Sequence, residues 1–228
     1  MNSQSNTNNT NSSLSIWRLW IPLWFQIAIM ISVPVQVLYT IIFGKTVILQ
    51  TVPVSPHDSL EGYAQMLRYD ISNQDNLRQL KGWENLAKQE ISQHDGRKLS
   101  FIKPGTRFYV ILEAPVTNSS TKLPSAWFPV TLSVKIPSQL EANQVAIKGL
   151  AQKRFIDYNL ENYFMSEQQW QEIYAELRQA MSAQPNQLPA KPPIVMEIKV
   201  NSRGDAIPVS IRALVGEDQQ QQIRTYRL

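Results

Sequence analysis

The chain has 228 residues, 43% of them apolar and 18% charged, with a formal net charge of +4. That length accommodates one folded domain with or without an anchor, and the small basic excess, interspersed with acids, argues against nucleic acid as a partner. The absence of cysteine excludes disulfides, zinc–thiolate sites, iron–sulfur clusters and a cysteine nucleophile.

Residues Met1 to Ser15 are rich in Asn, Ser and Thr and carry no charged side chain, which predicts a disordered polar tail over residues 1–15. Arg18 then precedes an uncharged run from Leu19 to Gly44, and Lys45 follows it. About 20 apolar residues suffice to cross a bilayer, so residues 16–44 are predicted to be a transmembrane anchor. Trp17, Trp20 and Trp24 cluster at one end and Tyr39 near the other, where amphipathic rings settle at the two interfaces. Pro22 and Pro34 are tolerable in a spanning helix, and Gln26 and Gln36 have the chemistry to hydrogen-bond a partner helix. A cleaved signal peptide would have an apolar core of only about 7–15 residues, and a buried helix would show a polar face; neither pattern is present. Arg18 and Lys45 nearly cancel in the positive-inside rule, so orientation rests on the short tail. The expected arrangement is an inner (plasma) membrane protein, single-pass, with a cytoplasmic N-terminus and an extracytoplasmic domain over residues 45–228.

Within that domain, β-branched Val47 to Val52 predicts a strand beside the membrane, and Pro53 to Asp58 a turn-rich break. Gln65 to Ile71 reads as a second strand. From Asn76 to Glu90, Leu77, Leu80, Trp83 and Leu86 recur at helical spacing, with Gly82 a weak point. Phe108 to Leu112, Phe128 to Ile136, Val145 to Leu150 and Phe155 to Leu160 are strand candidates, the last two as an antiparallel pair. Ser166 and Gln169 form a capping-box start for a helix to about Ala180. A Pro-rich linker, Pro185 to Pro193, follows. Ile194 to Val200 and Ala206 to Leu214 make the clearest hairpin, turned through Asn201 to Asp205. The predicted fold is α+β, mostly β: one N-terminal transmembrane helix plus a small antiparallel sheet or partly closed barrel with two helices.

The segment Gly62 to Tyr69 resembles the motif of the GDYXXLXY family of bacterial membrane-anchored proteins of unknown function. Gly62, Leu67 and Tyr69 match it, while Tyr63 and Ala64 occupy the Asp and first Tyr positions. Pro53-Val-Ser-Pro56-His-Asp58 ahead of it, the stretch Tyr158 to Phe164 with Glu161 and Tyr163, the following Glu167 and the terminal hairpin with Gly204 are also similar. The resemblance implies an anchor plus one extracytoplasmic domain, and it brings no catalytic activity. Any role that needs the motif's carboxylate is in doubt, because Tyr63 stands in its place.

Candidate chemistry is sparse. His57, Asp58 and Glu61 form the one His/carboxylate cluster, with the ligand types for a metal or for acid–base work, but a solvated turn accounts for them better. Glu161 and Glu167 are the possible carboxylate pair, and Glu167 also suits the first turn of a helix. Ser55 and Ser59 lie where a membrane-proximal Ser/Lys protease would put its nucleophile, without an accompanying motif. Arg203-Gly204-Asp205 spells an adhesion tripeptide, in residue types that a tight turn requires anyway. The aromatic set Tyr63, Tyr69, Tyr158, Tyr163 and Phe164 reads first as core packing and second as a contact patch. No cofactor and no metal are expected, and no catalysis. The leading functional expectation is a membrane-anchored binding or accessory protein, with the lipid bilayer and an integral-membrane protein, or an envelope ligand, as partners. The alternative is a membrane-bound hydrolase using the His57/Asp58/Glu61 loop.

Overall fold

The computed structural model describes residues 17–53, 67–92, 98–116, 123–160, 171, 175, 194–215 and 222–227. It divides at Tyr39/Thr40 into two units, which are taken in turn. The first consists of helix α1 (Trp17–Phe43) up to Tyr39, with Pro22 and Pro34 inside it. Nearly every described side chain on it is exposed, including Trp24, Phe25, Ile29, Met30 and Leu38, so it has no core of its own to cover. Its segment Trp20–Phe43 is long and apolar enough to cross a membrane.

The second unit begins with the last turn of α1 and is built almost wholly from antiparallel strands. In chain order these are β1 (Lys45–Pro53), β2 (Leu67–Tyr69), β3 (Lys88–Ser92), β4 (Lys98–Ile102), β5 (Arg107–Glu113) and β6 (Phe128–Ser133). After them come β7 (Gln144–Ala151), β8 (Ile156–Asp157), β9 (Ile194–Val200), β10 (Ala206–Val215) and β11 (Gln222–Arg227). They form a five-stranded sheet in the order β11-β10-β9-β1-β2, a four-stranded sheet in the order β6-β5-β7-β8, and the β3–β4 pair. The Trp127 N–H donates to Ile48 O on β1 at 2.8 Å, and the Lys148 N–H on β7 donates to Gly204 O at 2.9 Å. Those two bonds link the larger sheets and make the structure a partly closed one, as the alternating strands predicted.

Period-two patterning explains which faces meet. On β9, Ile194, Met196, Ile198 and Val200 are buried while Glu197 and Lys199 between them are partly exposed. Val47 and Leu49 from β1, Phe108, Val110 and Leu112 from β5 and Ile147 from β7 complete one continuous core. The hairpin of β9 and β10 turns through Asn201 to Asp205, where Asn201 Oδ1 accepts from the Arg203 and Asp205 amides and Gly204 has φ +84°.

Four predicted elements differ from the observed ones. Of the strand expected from Phe155 to Leu160 only Ile156–Asp157 forms a strand, and Asn159 beyond it has φ +58°. The helix expected from Asn76 to Glu90 is replaced by α2 (Gln74–Leu77), a 3₁₀ turn at Trp83–Asn85 and then β3. The strand expected from Gln65 to Ile71 has only Leu67–Tyr69 in β conformation, and Asp70–Ser72 winds into a 3₁₀ turn. The strand expected to reach Ile136 stops at Ser133. In the Asn76 to Glu90 stretch α2 already ends at Leu77, and Gly82 at φ +93°, a conformation no α-helix contains, stands ahead of the Trp83–Asn85 turn. The helix expected after Ser166 has only Gln171 and Ala175 among the described residues, both helical, and the Pro185–Pro193 linker lies outside them.

Candidate functional site

The ground between the family-like motif and the second resembling stretch is held by two buried tyrosines. Tyr69 closes β2 with Thr51 of β1 opposite it, and Tyr158 follows β8. The Tyr69 hydroxyl donates to Leu160 O at 3.1 Å, and the Tyr158 hydroxyl donates to Ile71 O at 2.8 Å. Each segment therefore supplies the donor for the other's carbonyl, a reciprocal clasp with both rings buried. Tyr69 is 1% exposed, which leaves its ring no face for an incoming ligand.

A buried amide sits next to this clasp. Gln74, in α2, has no exposed surface. Its Oε1 accepts from the Ile102 N–H at 2.8 Å and its Nε2 donates to Gln152 O at 3.3 Å. One side chain thus joins α2 to β4 and to the end of β7. Gln74→Leu is expected to lower domain stability by about 2 kcal/mol, because it strands the buried Ile102 N–H and removes a donor from the half-buried Gln152 carbonyl at similar volume. Chemical denaturation of the purified full chain in detergent, compared with Gln79→Leu at an exposed position, would check this.

The second built feature surrounds the end of α1. The Gly44 N–H donates to Thr40 O at 2.9 Å, and Asn201 Nδ2 donates to Thr40 Oγ1 at 3.0 Å. Lys199 Nζ donates to Gly44 O at 3.3 Å, a cation at a helix C-terminus, where the partial negative charge favours it. Lys45 Nζ bonds Ala142 O and also Gln144 O at 3.1 Å, and lies 5.3 Å from the centroid of the Trp127 ring. The last helical turn, β1, the β9–β10 hairpin and the β6–β7 crossover therefore converge within a few residues of the first charge after the apolar run.

The predicted site residues distribute as follows. Tyr69 is in the core, and Leu67 opens β2 opposite Pro53. Gln26 and Gln36 lie exposed on α1. Gly62, Tyr63, Glu161, Tyr163, Phe164 and Glu167, the His57/Asp58/Glu61 loop, and Ser55 and Ser59 lie outside the described residues. Among the described residues no group of three His, Asp or Glu is arranged to hold a metal ion. Arg203-Gly204-Asp205 forms the hairpin turn, with Asp205 Oδ1 3.4 Å from Lys148 Nζ and the Gly204 carbonyl bonded to β7. A shallow depression lined by Gln50, Asp70, Ile71, Trp127 and Phe128 is too small to enclose a metabolite. Sequence reading passed over Gln74 and treated Lys45 only as a flanking charge; the polar run Asn73-Gln-Asp-Asn has no period that would mark one of its members as buried.

Fold and site together define a class: one long apolar helix leading into an antiparallel β domain held by side-chain-to-backbone bonds. The chain belongs to the GDYXXLXY protein family, whose model matches residues 26–211, from within α1 to β10. No curated protein and no solved structure matches it.

Proposed function

We propose that this protein is a membrane-anchored binding or accessory subunit, with α1 spanning the inner membrane, the N-terminus cytoplasmic and the β domain extracytoplasmic. Its partner is an integral-membrane protein whose helix packs along α1. The observation that supports this reading is the distribution of polar side chains on the span. At 100° per residue Gln26, Ser32 and Gln36 fall within an arc of about 120°, and the rest of the circumference is aliphatic or aromatic. Ser32 Oγ bonds Ile29 O of its own helix at 2.7 Å, so the two glutamines supply the face's longer reach. A glutamine amide costs free energy in lipid, and a helix partner that shares its hydrogen bonds offsets that cost.

The test uses the full chain, tagged at its C-terminus, crosslinked in intact membranes and solubilised gently. A stoichiometric integral-membrane partner is expected, and Gln26→Leu with Gln36→Leu is expected to cut its recovery about three- to tenfold, the worth of one or two intramembrane hydrogen bonds. Unchanged recovery in the double variant would remove the two glutamines from the interface and reduce α1 to a tether.

A further inference from the structure

The apolar alternation that predicted a strand as far as Ile136 continues past the strand's real end. Residues 134–143 leave the sheet after Ser133 and cross over β5 to begin β7. Val134 is 51% exposed, Ile136 41% and Leu140 39%, so this short crossover displays three large aliphatic side chains to its surroundings.

Both ends of the crossover are fixed to elements that meet the last turn of α1. At its far end, Ala142 O accepts from Lys45 Nζ, and Lys45 is the first charged residue after the apolar run. Asn143 O accepts from the Ala114 N–H at 2.9 Å, which locks the approach to β7. At its near end, Ser133 pairs with Tyr109, whose ring packs against Gly204 in the hairpin turn. That turn in its own right reaches the helix, through Asn201 Nδ2 and Thr40 Oγ1. Ile42 and Phe43 in the last helical turn are 58% and 70% exposed.

From these contacts we infer that the β6–β7 crossover lies in the membrane interface, with Val134, Ile136 and Leu140 dipping into the lipid headgroup region. The inference rests on α1 spanning a bilayer, because only then does the lipid surface pass at the level of Phe43 and Lys45. Its occupant is lipid for a geometric reason: the crossover is hydrogen-bonded to the residue at which the chain leaves the apolar phase. Lys135, between Val134 and Ile136, has the long stem that lets an ammonium reach phosphate while its neighbours sit among the headgroups. Glu141 lies beyond Leu140, next to the Lys45 anchor point, and remains on the aqueous side.

The absence of cysteine makes the test clean. Four single-cysteine versions of the full chain, Ile136→Cys, Leu140→Cys, Gln79→Cys and Met30→Cys, are labelled with an environment-sensitive fluorophore and reconstituted in phosphatidylcholine vesicles. Gln79 is the water reference, an exposed residue outside the crossover, two positions before Lys81, which meets β6 at Thr131. Shallow doxyl-labelled lipid is expected to quench the label at 136 and 140 about twofold or more above that at 79, and the label at 30 is expected to respond to deep quencher. Quenching at 136 and 140 no greater than at 79, with the label at 30 still quenched, would overturn the inference and leave the spanning helix intact. No quenching at 30 would remove the spanning reading, and the inference with it.

Discussion

Tyr69→Ala is expected to cost about 3–5 kcal/mol, enough to unfold a domain of ordinary stability, because it empties a fully enclosed aromatic site. The finer experiment is Tyr69→Phe, which keeps the ring and removes only the hydroxyl that serves Leu160 O. That change leaves a buried carbonyl without this donor and is expected to cost about 1–3 kcal/mol. Tyr158→Phe does the same to Ile71 O, the carbonyl two residues beyond Tyr69. Because each tyrosine holds the segment that carries the other, the two losses are expected to be non-additive, with a coupling of at least about 0.5 kcal/mol. A double-mutant cycle by urea denaturation measures it. Strict additivity would mean that the two hydroxyls hold independent segments and that the clasp is not a unit.

The second large effect belongs to Gly82. It has φ +93°, and a Cβ built there would lie 2.0 Å from the Leu132 carbonyl oxygen, which is backbone and cannot step aside. Lys81 next to it bridges Thr131 and accepts the Leu132 N–H at 2.8 Å, so the close approach is part of the seam between this turn and β6. Gly82→Ala is expected to cost about 3 kcal/mol or more, the sum of a left-handed penalty of about 1–2 kcal/mol and a forced separation of the seam. In a domain of this size that corresponds to a fall in Tm of roughly 10 °C. Gly105 is an internal control: it has φ +84° but meets nothing within 4 Å, so Gly105→Ala should show the left-handed penalty alone. Equal effects at the two glycines would show that the contact with Leu132 carries no energy.

These two positions also indicate where the sequence was legible. The terminal hairpin was readable to within one residue, Val215, because two independent signals agree there, the alternation in Ile194 to Val200 and the turn chemistry of Asn201 to Asp205. The stretch after Asn76 was misread although its apolar residues were correctly picked: Leu77 and Leu86 are buried, as an amphipathic helix would require. Spacing of three and four is also produced by a chain of short turns, and here α2 ends at Leu77 and a separate turn follows left-handed Gly82. β3 and β11 left no trace for the opposite reason. Lys88–Ser92 and Gln222–Arg227 are mostly polar strands held by backbone bonds to one neighbour, with little buried surface to impose a period. Of the candidate site, Tyr69 was readable as a large apolar residue on a strand, but the carbonyl it serves lies 91 positions away, and no local pattern announces such a bond.

The position of β1 in the sheet has a consequence for how the domain is made. The strand emerges directly behind α1, yet its neighbour β9 comes near the end of the chain: Thr51 Oγ1 bonds Ile194 O, 143 residues on. At ordinary rates of translation on the order of ten seconds pass between the appearance of the two. Through that interval β1 can pair with the early β2 only over Thr51–Pro53, and its longer edge, Lys45 to Gln50, waits for β9. Completion of the C-terminal hairpin is therefore the event that closes the fold. A ribosome that stalls or a stop codon that falls before Ile194 leaves β1 without its longer partner, and quality-control proteases would meet a substrate whose larger sheet has never closed.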